Sequence, residues 1–429
     1  MVAYGIKTPH ANCLVYVLMD ESECRVGARE MNILVINCGS STLKFQLIET
    51  AAAGGAERKL ARGIVDRIGA AGSYRFDTND AVIEQKDWPV ANHDQAVALV
   101  IDWLNSRPEL KPIDAVGHRV VHGGDRFATS VRIDDAVVAA LEALCEIAPL
   151  HNPGALSGIR AARKILGDSM PMVAAFDTSF HYTIPEQAAS YAIPYELSRR
   201  YKIRRYGFHG LAHQYDIARY AELTGKNAPQ VSAVTLHLGN GCSATAIRHG
   251  QSIDTSMGFT PLEGLVMGTR SGDLDPALVC YLARKEQVDA VEIDSWLNQR
   301  SGLVGISGLS NDMRELTEAY PTNPRARLAV DVFCYRARKY LGAYLAVLEG
   351  KAAAIIFSGG IGENAAKVRQ TILSGMEWCG VTVDENANQS VLGRDGKISA
   401  MDSRLDVFVI HTDEEVIIAR ETLRLIVGR

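Results

Sequence analysis

Two glycine-rich turns, far apart in the 429-residue chain, have the residue types that bind an anion. They are residues 37–44 (NCGSSTLK) and residues 358–364 (SGGIGEN), and each follows a short apolar run. Glycine lets backbone N–H groups approach an anion closely because it has no side chain in the way. The first turn adds three hydroxyls and one cation, on Ser40, Ser41, Thr42 and Lys44. This pattern indicates a nucleotide held in a cleft between two domains.

Neither turn is a GxxxxGK[ST] loop or a GxGxxG fingerprint, so the common nucleotide folds are not indicated. The length favours two domains, and 47% hydrophobic with 22% charged residues is typical of a soluble globular protein. A net charge of −5 gives no electrostatic reason to expect nucleic acid as a partner. No apolar run reaches the roughly 20 residues of a membrane helix.

The eight cysteines form no CxxC pair, so neither a zinc site nor a disulfide framework is favoured. Free thiols in a reducing cytoplasm are the simplest interpretation. The first thirty residues differ from the rest: the apolar run 14–19 is short and leads into acidic residues without a cleavage site, which argues against a signal peptide. The first convincing strand begins at Met31, and we interpret residues 1–30 as a dispensable extension or the product of an upstream start codon.

Strands and helices alternate along the chain. Two hairpins with glycine-rich tips recur, at 32–49 and 231–248, and they predict a duplicated α/β unit. No element is predicted in the polar stretch up to Val90. The other predicted helices span 94–105, 133–147, 154–166, 212–223, 324–348 and 412–426, and the other predicted strands span 113–119, 172–176, 352–357 and 405–410.

Seven segments resemble the acetate kinase family in their order and spacing, from Met31 to the C-terminus. They are residues 37–44, 117–124 (GHRVVHGG), 176–181 (FDTSFH), 205–210 (RYGFHG), 237–241 (HLGNG), 264–273 (GLVMGTRSGD) and 358–364. The resemblance implies two ribonuclease-H-like domains with ATP between them, a fold shared with sugar kinases, heat-shock ATPases and actin. It divides the chain into 31–178 plus 415–429 and 179–414. It also implies a homodimer.

The chemistry implied by the resemblance is a reversible, Mg²⁺-dependent, in-line phosphoryl transfer from ATP to acetate, which gives acetyl phosphate and ADP. Arg119 would contact the carboxylate of acetate and Arg270 the transferring phosphoryl group, since a guanidinium matches both bidentately. Asp177 would orient the magnesium or an active-site arginine. It need not act as a base because acetate is already ionised at pH 7. His209 could donate a hydrogen bond to a phosphoryl oxygen in the transition state.

Other site residues follow from the same resemblance. His181 and His151 are weaker candidates, and for His151 an orienting and a structural role are equally supported. Magnesium, or manganese in its place, would be held by Asn37 and Glu414. Residues at the start of the last helix have a second interpretation, in which Thr412 and Glu415 form a capping box. The implied nucleotide contacts are Ser40, Thr42, Lys44, His237, Gly239, Asn240, Gly241, Asp312, Met313, Arg314, Gly360, Ile361, Gly362 and Asn364. For Asp312 and Arg314, an ion pair at a helix start is an equal alternative.

The methyl group of the substrate would lie among Val121, Leu150 and Pro261. Burial of one methyl group discriminates weakly between acids, so a propionate kinase or another short-chain carboxylate kinase remains an alternative. An ATP-driven binding module of the chaperone or filament type is a third hypothesis, but it lacks an appended binding segment. Cys38 and Thr42 stand where the family usually has a small residue and a serine. Cys38 is either a packing residue or a thiol whose oxidation would clash with ATP.

The interpretation of residues 1–30 predicts that a chain beginning at Met31 is soluble, dimeric and as active as the full chain, because the first core strand begins there. Size-exclusion chromatography and a phosphoryl-transfer assay on both chains test this. Aggregation or loss of activity in the shorter chain would show that the extension is required.

Overall fold

The structure, a computed structural model, describes residues 30–50, 57–78, 81–110 and 112–428. The predicted extension therefore lies outside the described residues, except for its last residue. The described part of the chain forms two β-sheets with helices on both sides, which confirms the predicted α/β class.

The first sheet has eight strands in the order β5-β4-β3-β2-β1-β6-β8-β7. Their bounds are β1 Asn32–Cys38, β2 Leu43–Glu49, β3 Arg58–Asp66, β4 Ser73–Thr78, β5 Ala81–Asp87, β6 Ala115–Val120, β7 Val131–Arg132 and β8 Met172–Phe176. Strands β1, β6 and β8 are parallel, whereas β1 to β5 form an antiparallel meander. The stretch between Glu49 and Val90 was predicted to contain no strand or helix. That prediction was wrong, because β3, β4 and β5 lie there.

The second sheet has six strands in the order β11-β10-β9-β12-β14-β13. Their bounds are β9 Ala233–Leu238, β10 Cys242–Arg248, β11 Gln251–Thr255, β12 Ala354–Ser358, β13 Gly396–Lys397 and β14 Asp406–Val409. The series β11-β10-β9-β12-β14 repeats the series β3-β2-β1-β6-β8, with three antiparallel strands followed by two parallel ones. The predicted duplication of an α/β unit is confirmed, with both glycine-tipped hairpins in equivalent places.

Fifteen α-helices occur in the described ranges. The helices that precede β8 are α1 His93–Asn105, α2 Asp135–Leu144 and α3 Asn152–Leu166. Those that follow are α4 Glu186–Ala189, α5 Tyr195–Tyr201, α6 Gly210–Thr224, α7 Ala277–Glu286, α8 Ala290–Gln299, α9 Gly302–Ser307, α10 Met313–Ala319, α11 Pro324–Val347, α12 Gly359–Asn364, α13 Ala366–Leu373, α14 Glu385–Ser390 and α15 Glu414–Val427. Asn323 caps α11 as predicted, with its side chain accepting from two backbone N–H groups.

Helix α15 returns from the second sheet to pack on the first. Its apolar residues, such as Ile418, join a buried cluster with Ile33 and Val35 of β1. The approach is close: a Cβ added at Gly117 of β6 would lie 2.6 Å from Oγ1 of Thr422. Both sheets are therefore joined by a helix whose first residues sit between them.

The capping box predicted at the start of α15 was wrong. The cap is Asp413, whose side chain accepts a hydrogen bond from the backbone N–H of Val416 at 3.3 Å. The hydroxyl of Thr412 points elsewhere and donates to Asp216 at 2.7 Å. An aspartate caps as well as a threonine does, and it frees the neighbouring hydroxyl for a tertiary contact.

The second glycine-rich segment was predicted as a tight turn, but the structure forms the short helix α12 there. The helix begins at Gly359, whose φ of +73° is unfavourable for residues with a side chain. A Cβ at this position would also lie 2.8 Å from the carbonyl oxygen of Leu238. This glycine therefore allows α12 to start directly at the end of β12, beside the β9–β10 hairpin.

Cys38 fills a space that a glycine leaves open. A Cβ added at Gly158 of α3 would lie 2.4 Å from its Sγ atom. Cys38 is buried, and burial raises the pKa of its thiol to about 12. The thiolate that would react with an oxidant is therefore disfavoured, and packing is the role that the structure supports.

We predict that Gly158→Ala lowers the free energy of unfolding by ~1–3 kcal/mol, the usual cost of overpacking a core. Adding Cys38→Ala should recover most of the loss, because it removes the atom that the new methyl group meets. Urea denaturation of the two single variants and the double variant measures this. Additive losses in the double variant would show that the two side chains do not compete for the same space.

Candidate active site between the two sheets

A cleft between the two sheets contains three adjoining cavities. A cavity of about 410 Å³ is lined by both halves of the molecule: Asn37, Cys38, Gly39, Ser40, Thr42, Lys44, Arg119, Val121, Leu150, His151, Asp177, Phe208, His209, Gly241, Pro261 and Arg270. We call it the central cavity. It brings together the predicted arginines, the aspartate, the histidine and the three predicted apolar residues. Sequences more than 200 residues apart thus converge on one site.

A buried ion pair lies at the centre of this cavity. Arg119 donates to Asp177 through two bonds, from Nε to Oδ1 at 2.9 Å and from Nη2 to Oδ2 at 2.7 Å. The two residues meet because they end the neighbouring parallel strands β6 and β8. Nη1 of Arg119 is also 3.3 Å from Oε2 of Glu414. Burial lowers the pKa of Arg119, but the charges of Asp177 and Glu414 more than offset this and raise it above its ordinary value.

Arg270 faces the same cavity without a carboxylate partner among the described residues. Its only hydrogen bond there is a long one, from Nη1 to the carbonyl oxygen of Pro261 at 3.4 Å. A Cβ added at Gly241 would lie 3.7 Å from this Nη1 atom, so the guanidinium is close to the β9–β10 turn. Burial lowers its pKa. A half-buried guanidinium with unused N–H groups is suited to bind an incoming anion.

His209 precedes α6 in a left-handed conformation, with φ of +58°. Its Nδ1 atom is 3.0 Å from the hydroxyl oxygen of Ser243, and its ring centre is 4.9 Å from that of His237. Burial, aided by the nearby His237 and Arg119, lowers the pKa of His209 well below its ordinary value. The imidazole is therefore neutral at pH 7 and can donate one hydrogen bond.

Beside the central cavity lies a second one of about 370 Å³, the phosphate cavity. Its lining includes Asn37, Lys44, Arg119, His209, His237, Gly239, Asn240, Gly241, Gly359, Gly360, Glu363, Thr412, Glu414 and Glu415. Both glycine-rich hairpin tips and the start of α12 meet here. Of the predicted residues, Ser40 and Thr42 line the central cavity instead, while Lys44 lines both.

The phosphate cavity also contains the predicted metal ligands. Asn37 and Glu414 supply oxygen atoms, which hard cations prefer. Burial raises the pKa of Glu414, and burial with the neighbouring Glu414 charge raises the pKa of Glu415 to about 7. A bound cation would relieve this crowding of acids, so the donor set fits a hard divalent ion. In the described ranges no three His, Cys, Asp or Glu residues cluster with metal-binding geometry, so such an ion would take further ligands from water and phosphate.

A third cavity, of about 900 Å³, continues outward between α10 and α12. It is lined by Gly239, Asn240, Asn311, Asp312, Met313, Arg314, Thr317, Glu318, Gly360, Ile361, Asn364 and Ala365. Asp312 caps α10 and pairs with Arg314 at 2.6 Å, so the helix-start ion pair exists and also forms part of the wall. Gly362 is buried behind the lining, where its carbonyl oxygen accepts from Arg369 at 2.8 Å.

The three predicted apolar residues form one corner of the central cavity. Val121 and Pro261 are half-buried, whereas Leu150 is 55% exposed to solvent. Phe208 completes the corner but was not predicted as a lining residue, although it lies in the same motif as His209. His151 lies nearby, and burial and the charge of Arg270 lower its pKa to about 4. His181 instead lies in the core, held by Ser252 and the carbonyl oxygen of Phe208.

The sequence reasoning missed a buried network behind the phosphate cavity. Asp216 of α6 accepts hydrogen bonds from Ser358 and Thr412, and Ser358 also contacts His237. Asp216 is separated from these two hydroxyls by 142 and 196 residues. No local pattern could have indicated the contact.

Comparisons with known proteins identify the family to which the chain belongs. The family model described as the acetokinase family matches residues 32–420. An acetate kinase of Chloroherpeton thalassium is 51% identical over 417 residues, covering 93% of this chain and 100% of that protein. A crystal structure of Porphyromonas gingivalis acetate kinase superimposes with a TM-score of 0.85 at 38% identity, covering 92% of this chain and 100% of that one. A crystal structure of a propionate kinase from Francisella tularensis superimposes with a TM-score of 0.84 at 39% identity, covering 91% of this chain and 98% of that one. The chain therefore belongs to the acetokinase family.

Proposed function

We propose that this protein is an acetate kinase, which transfers the terminal phosphoryl group of ATP directly to acetate and gives acetyl phosphate and ADP reversibly. The observation that carries the proposal is the pair of arginines in the central cavity. Arg119 is held rigidly by Asp177, Arg270 has unused N–H groups, and a small apolar corner lies beside them. Such a site suits one small carboxylate and one phosphoryl group.

The acceptor needs positioning rather than activation. Acetate is ionised at pH 7, so no base has to remove a proton, and Asp177 is already occupied by Arg119. After its bonds to Asp177 and Glu414, Arg119 retains N–H groups for the acetate carboxylate. The methyl group would enter the corner formed by Val121, Leu150 and Pro261. This orientation directs a carboxylate oxygen toward the phosphorus in line with the leaving ADP.

Charge on the transferring phosphoryl group would be stabilised by Arg270 and His209, both of which line the central cavity. Because His209 is neutral, it donates a hydrogen bond without a net charge, while Arg270 supplies the positive charge. Asn37 and Glu414 would hold Mg²⁺, or Mn²⁺ in its place. When bound, such an ion would neutralise the negative charge that develops on the phosphates during the transfer.

The nucleotide would extend from the central cavity outward. Its phosphates would lie against Lys44 and the β9–β10 turn, which line the phosphate cavity. Its adenosine would occupy the outer cavity between α10 and α12, which at about 900 Å³ is the largest of the three. The residues proposed as adenosine contacts are Asp312, Met313, Arg314, Gly360, Ile361 and Asn364.

The domain division at 31–178 plus 415–429 and 179–414 remains our proposal, supported by the two sheets and by α15 packing on the first. We also propose a homodimer. Helix α7 is rich in apolar residues, yet none of them is buried, with Leu278 46% and Tyr281 49% exposed. A helix that exposes several apolar side chains is typical of an association surface, and a second copy of the chain is the occupant that we propose.

A cytoplasmic location is part of the same proposal. It is supported by the six described cysteines, which are all free, and by the requirement for ATP. In the described part of the chain no helix is long and apolar enough to cross a membrane. Propionate is a second candidate acceptor, because the open side of Leu150 leaves room beside the methyl corner.

The purified protein, incubated with ATP, Mg²⁺ and acetate, should form acetyl phosphate, which hydroxylamine traps as a hydroxamate that forms a coloured complex with ferric iron. Formate, propionate and butyrate in place of acetate define the acceptor. ATP hydrolysis without any acyl phosphate would contradict the proposal and favour an ATP-driven binding module.

We predict that replacing Arg270 and replacing Arg119 have different effects on kinetics and stability. Arg270→Ala should lower kcat by about 10²-fold or more, as expected for a lost electrostatic stabiliser, without a large change in stability. Arg119→Ala should lower kcat as well, raise KM for acetate, and cost ~3–5 kcal/mol of stability, because it leaves the buried Asp177 carboxylate unpaired. Kinetics and urea denaturation measure both effects. Wild-type turnover by a folded Arg270→Ala variant would remove Arg270 from the mechanism.

We predict that Val121→Ala improves the use of propionate relative to acetate. The smaller residue leaves space for one more methylene, whose burial contributes ~0.8 kcal/mol, so the ratio of KM values should shift about fourfold. The value of kcat should change little for either acid, since the arginines are untouched. Unchanged selectivity with normal nucleotide binding would show that Val121 does not contact the acyl chain.

A further inference from the structure

A buried carboxylate lies behind the phosphate cavity, and no cationic side chain of the described residues pairs with it. Asp216, on α6, is fully buried. Each of its oxygens accepts a hydrogen bond from a hydroxyl: Oδ2 from Ser358 at 2.5 Å and Oδ1 from Thr412 at 2.7 Å. It forms no ion pair within the ranges that the structure describes. Burial raises its pKa to about 8 even though both hydroxyl bonds favour the charged form. Such a group is costly for a core, and packing alone does not require it.

The first hydroxyl connects Asp216 to the phosphate cavity. Ser358 ends β12, and its Oγ atom is 3.1 Å from Nδ1 of His237, which lines that cavity. A serine hydroxyl has one hydrogen atom. When Asp216 is ionised, Ser358 donates this hydrogen to it and can only accept from His237. Nδ1 of His237 therefore carries the hydrogen, and the ring is held in one tautomer and one orientation.

The second hydroxyl connects Asp216 to the segment that leads into α15. Thr412 lies two residues before Glu414, the proposed metal ligand. The backbone N–H of Thr412 also donates to Oε1 of Glu363 at 3.3 Å, and Asp413 caps the helix immediately afterwards. The direction in which Glu414 enters the cavity is thus fixed from the side of Asp216.

We propose that Asp216 is a positioning residue that holds His237 through Ser358 and the Glu414 segment through Thr412, and so couples the phosphate and metal sides of the site. The inference rests on the proposed function for the identity of these two sides. The Asp216 carboxylate accepts hydrogen bonds from both hydroxyls. Replacing Asp216 should therefore affect both the phosphate side and the metal side, whereas replacing either hydroxyl residue should mainly affect one of them.

Four variants test the coupling: Ser358→Ala, Thr412→Val, Asp216→Asn and the double variant Asp216→Asn with Ser358→Ala. Asparagine keeps the volume of the side chain but cannot accept from both hydroxyls, because one of its two polar atoms is a donor. The readouts are Kd for ADP with Mg²⁺ by calorimetry, the Mg²⁺ concentration at half-maximal rate, KM for acetate, and the urea unfolding midpoint.

Ser358→Ala should raise Kd for ADP about fivefold, the factor expected from one lost hydrogen bond, and leave the Mg²⁺ requirement unchanged. Thr412→Val should raise the Mg²⁺ requirement by a larger factor than Kd for ADP. Asp216→Asn should do both, with KM for acetate unaffected. The double variant should bind ADP no more weakly than the weaker of its two single variants, because both changes break the same connection.

A different pattern would overturn the inference. If Asp216→Asn lowers only the unfolding midpoint, or if the two changes in the double variant add fully, Asp216 is a structural residue. If Asp216→Asn does not fold, the two hydroxyl variants still decide: identical effects of Ser358→Ala and Thr412→Val on both readouts contradict separate connections. The calorimetric measurement of Kd for ADP needs no acetate. If the protein binds ADP but forms no acetyl phosphate, the proposed function is refuted. The effects of the four variants on Kd for ADP still test the coupling in that case.

Discussion

The buried pair between Arg119 and Asp177 is the constraint on which the site depends. An almost fully buried carboxylate is costly unless it is paired or hydrogen-bonded, and the ends of two adjacent parallel strands place Arg119 at bonding distance from Asp177. The pair has two consequences for chemistry. It occupies Asp177, which suits an acceptor that needs no base, and it fixes the plane of the Arg119 guanidinium, so that its remaining N–H groups face the cavity. Glu414, 3.3 Å away, extends the pair to the acidic start of α15.

Much of this site could be predicted from sequence because functional residues follow buried strands directly. Arg119, Asp177 and the hairpin tips at 37–44 and 239–241 all lie where apolar runs stop, and parallel strands bring such ends to one edge of a sheet. The missed strands β3 to β5 lack that signal. In β3, residues such as Arg58 and Lys59 are exposed and only part of the strand is buried, so its sequence is more polar than that of a core strand.

Other errors came from contacts that no local pattern contains. Thr412 and Asp413 are both good helix caps, and the choice between them is made by Asp216, 196 residues from Thr412. The start of α12 at Gly359 depends on the closeness of the β9–β10 hairpin, which sequence alone does not show. Cys38 likewise acquires its packing role from Gly158 on another element. Local sequence patterns thus indicated residues that line the cleft, while the tertiary structure decided which neighbours contact them.

The central claim is a single in-line transfer in which acetate attacks the γ-phosphorus directly. The stereochemical course at phosphorus tests it most directly, with ATP made chiral at the γ-phosphoryl group by oxygen isotopes and sulfur and with the configuration of the acetyl phosphate product determined. One displacement inverts the configuration, so the account predicts inversion. Net retention would require two successive displacements through a phosphorylated side chain, and would contradict a site built only to position acetate against ATP.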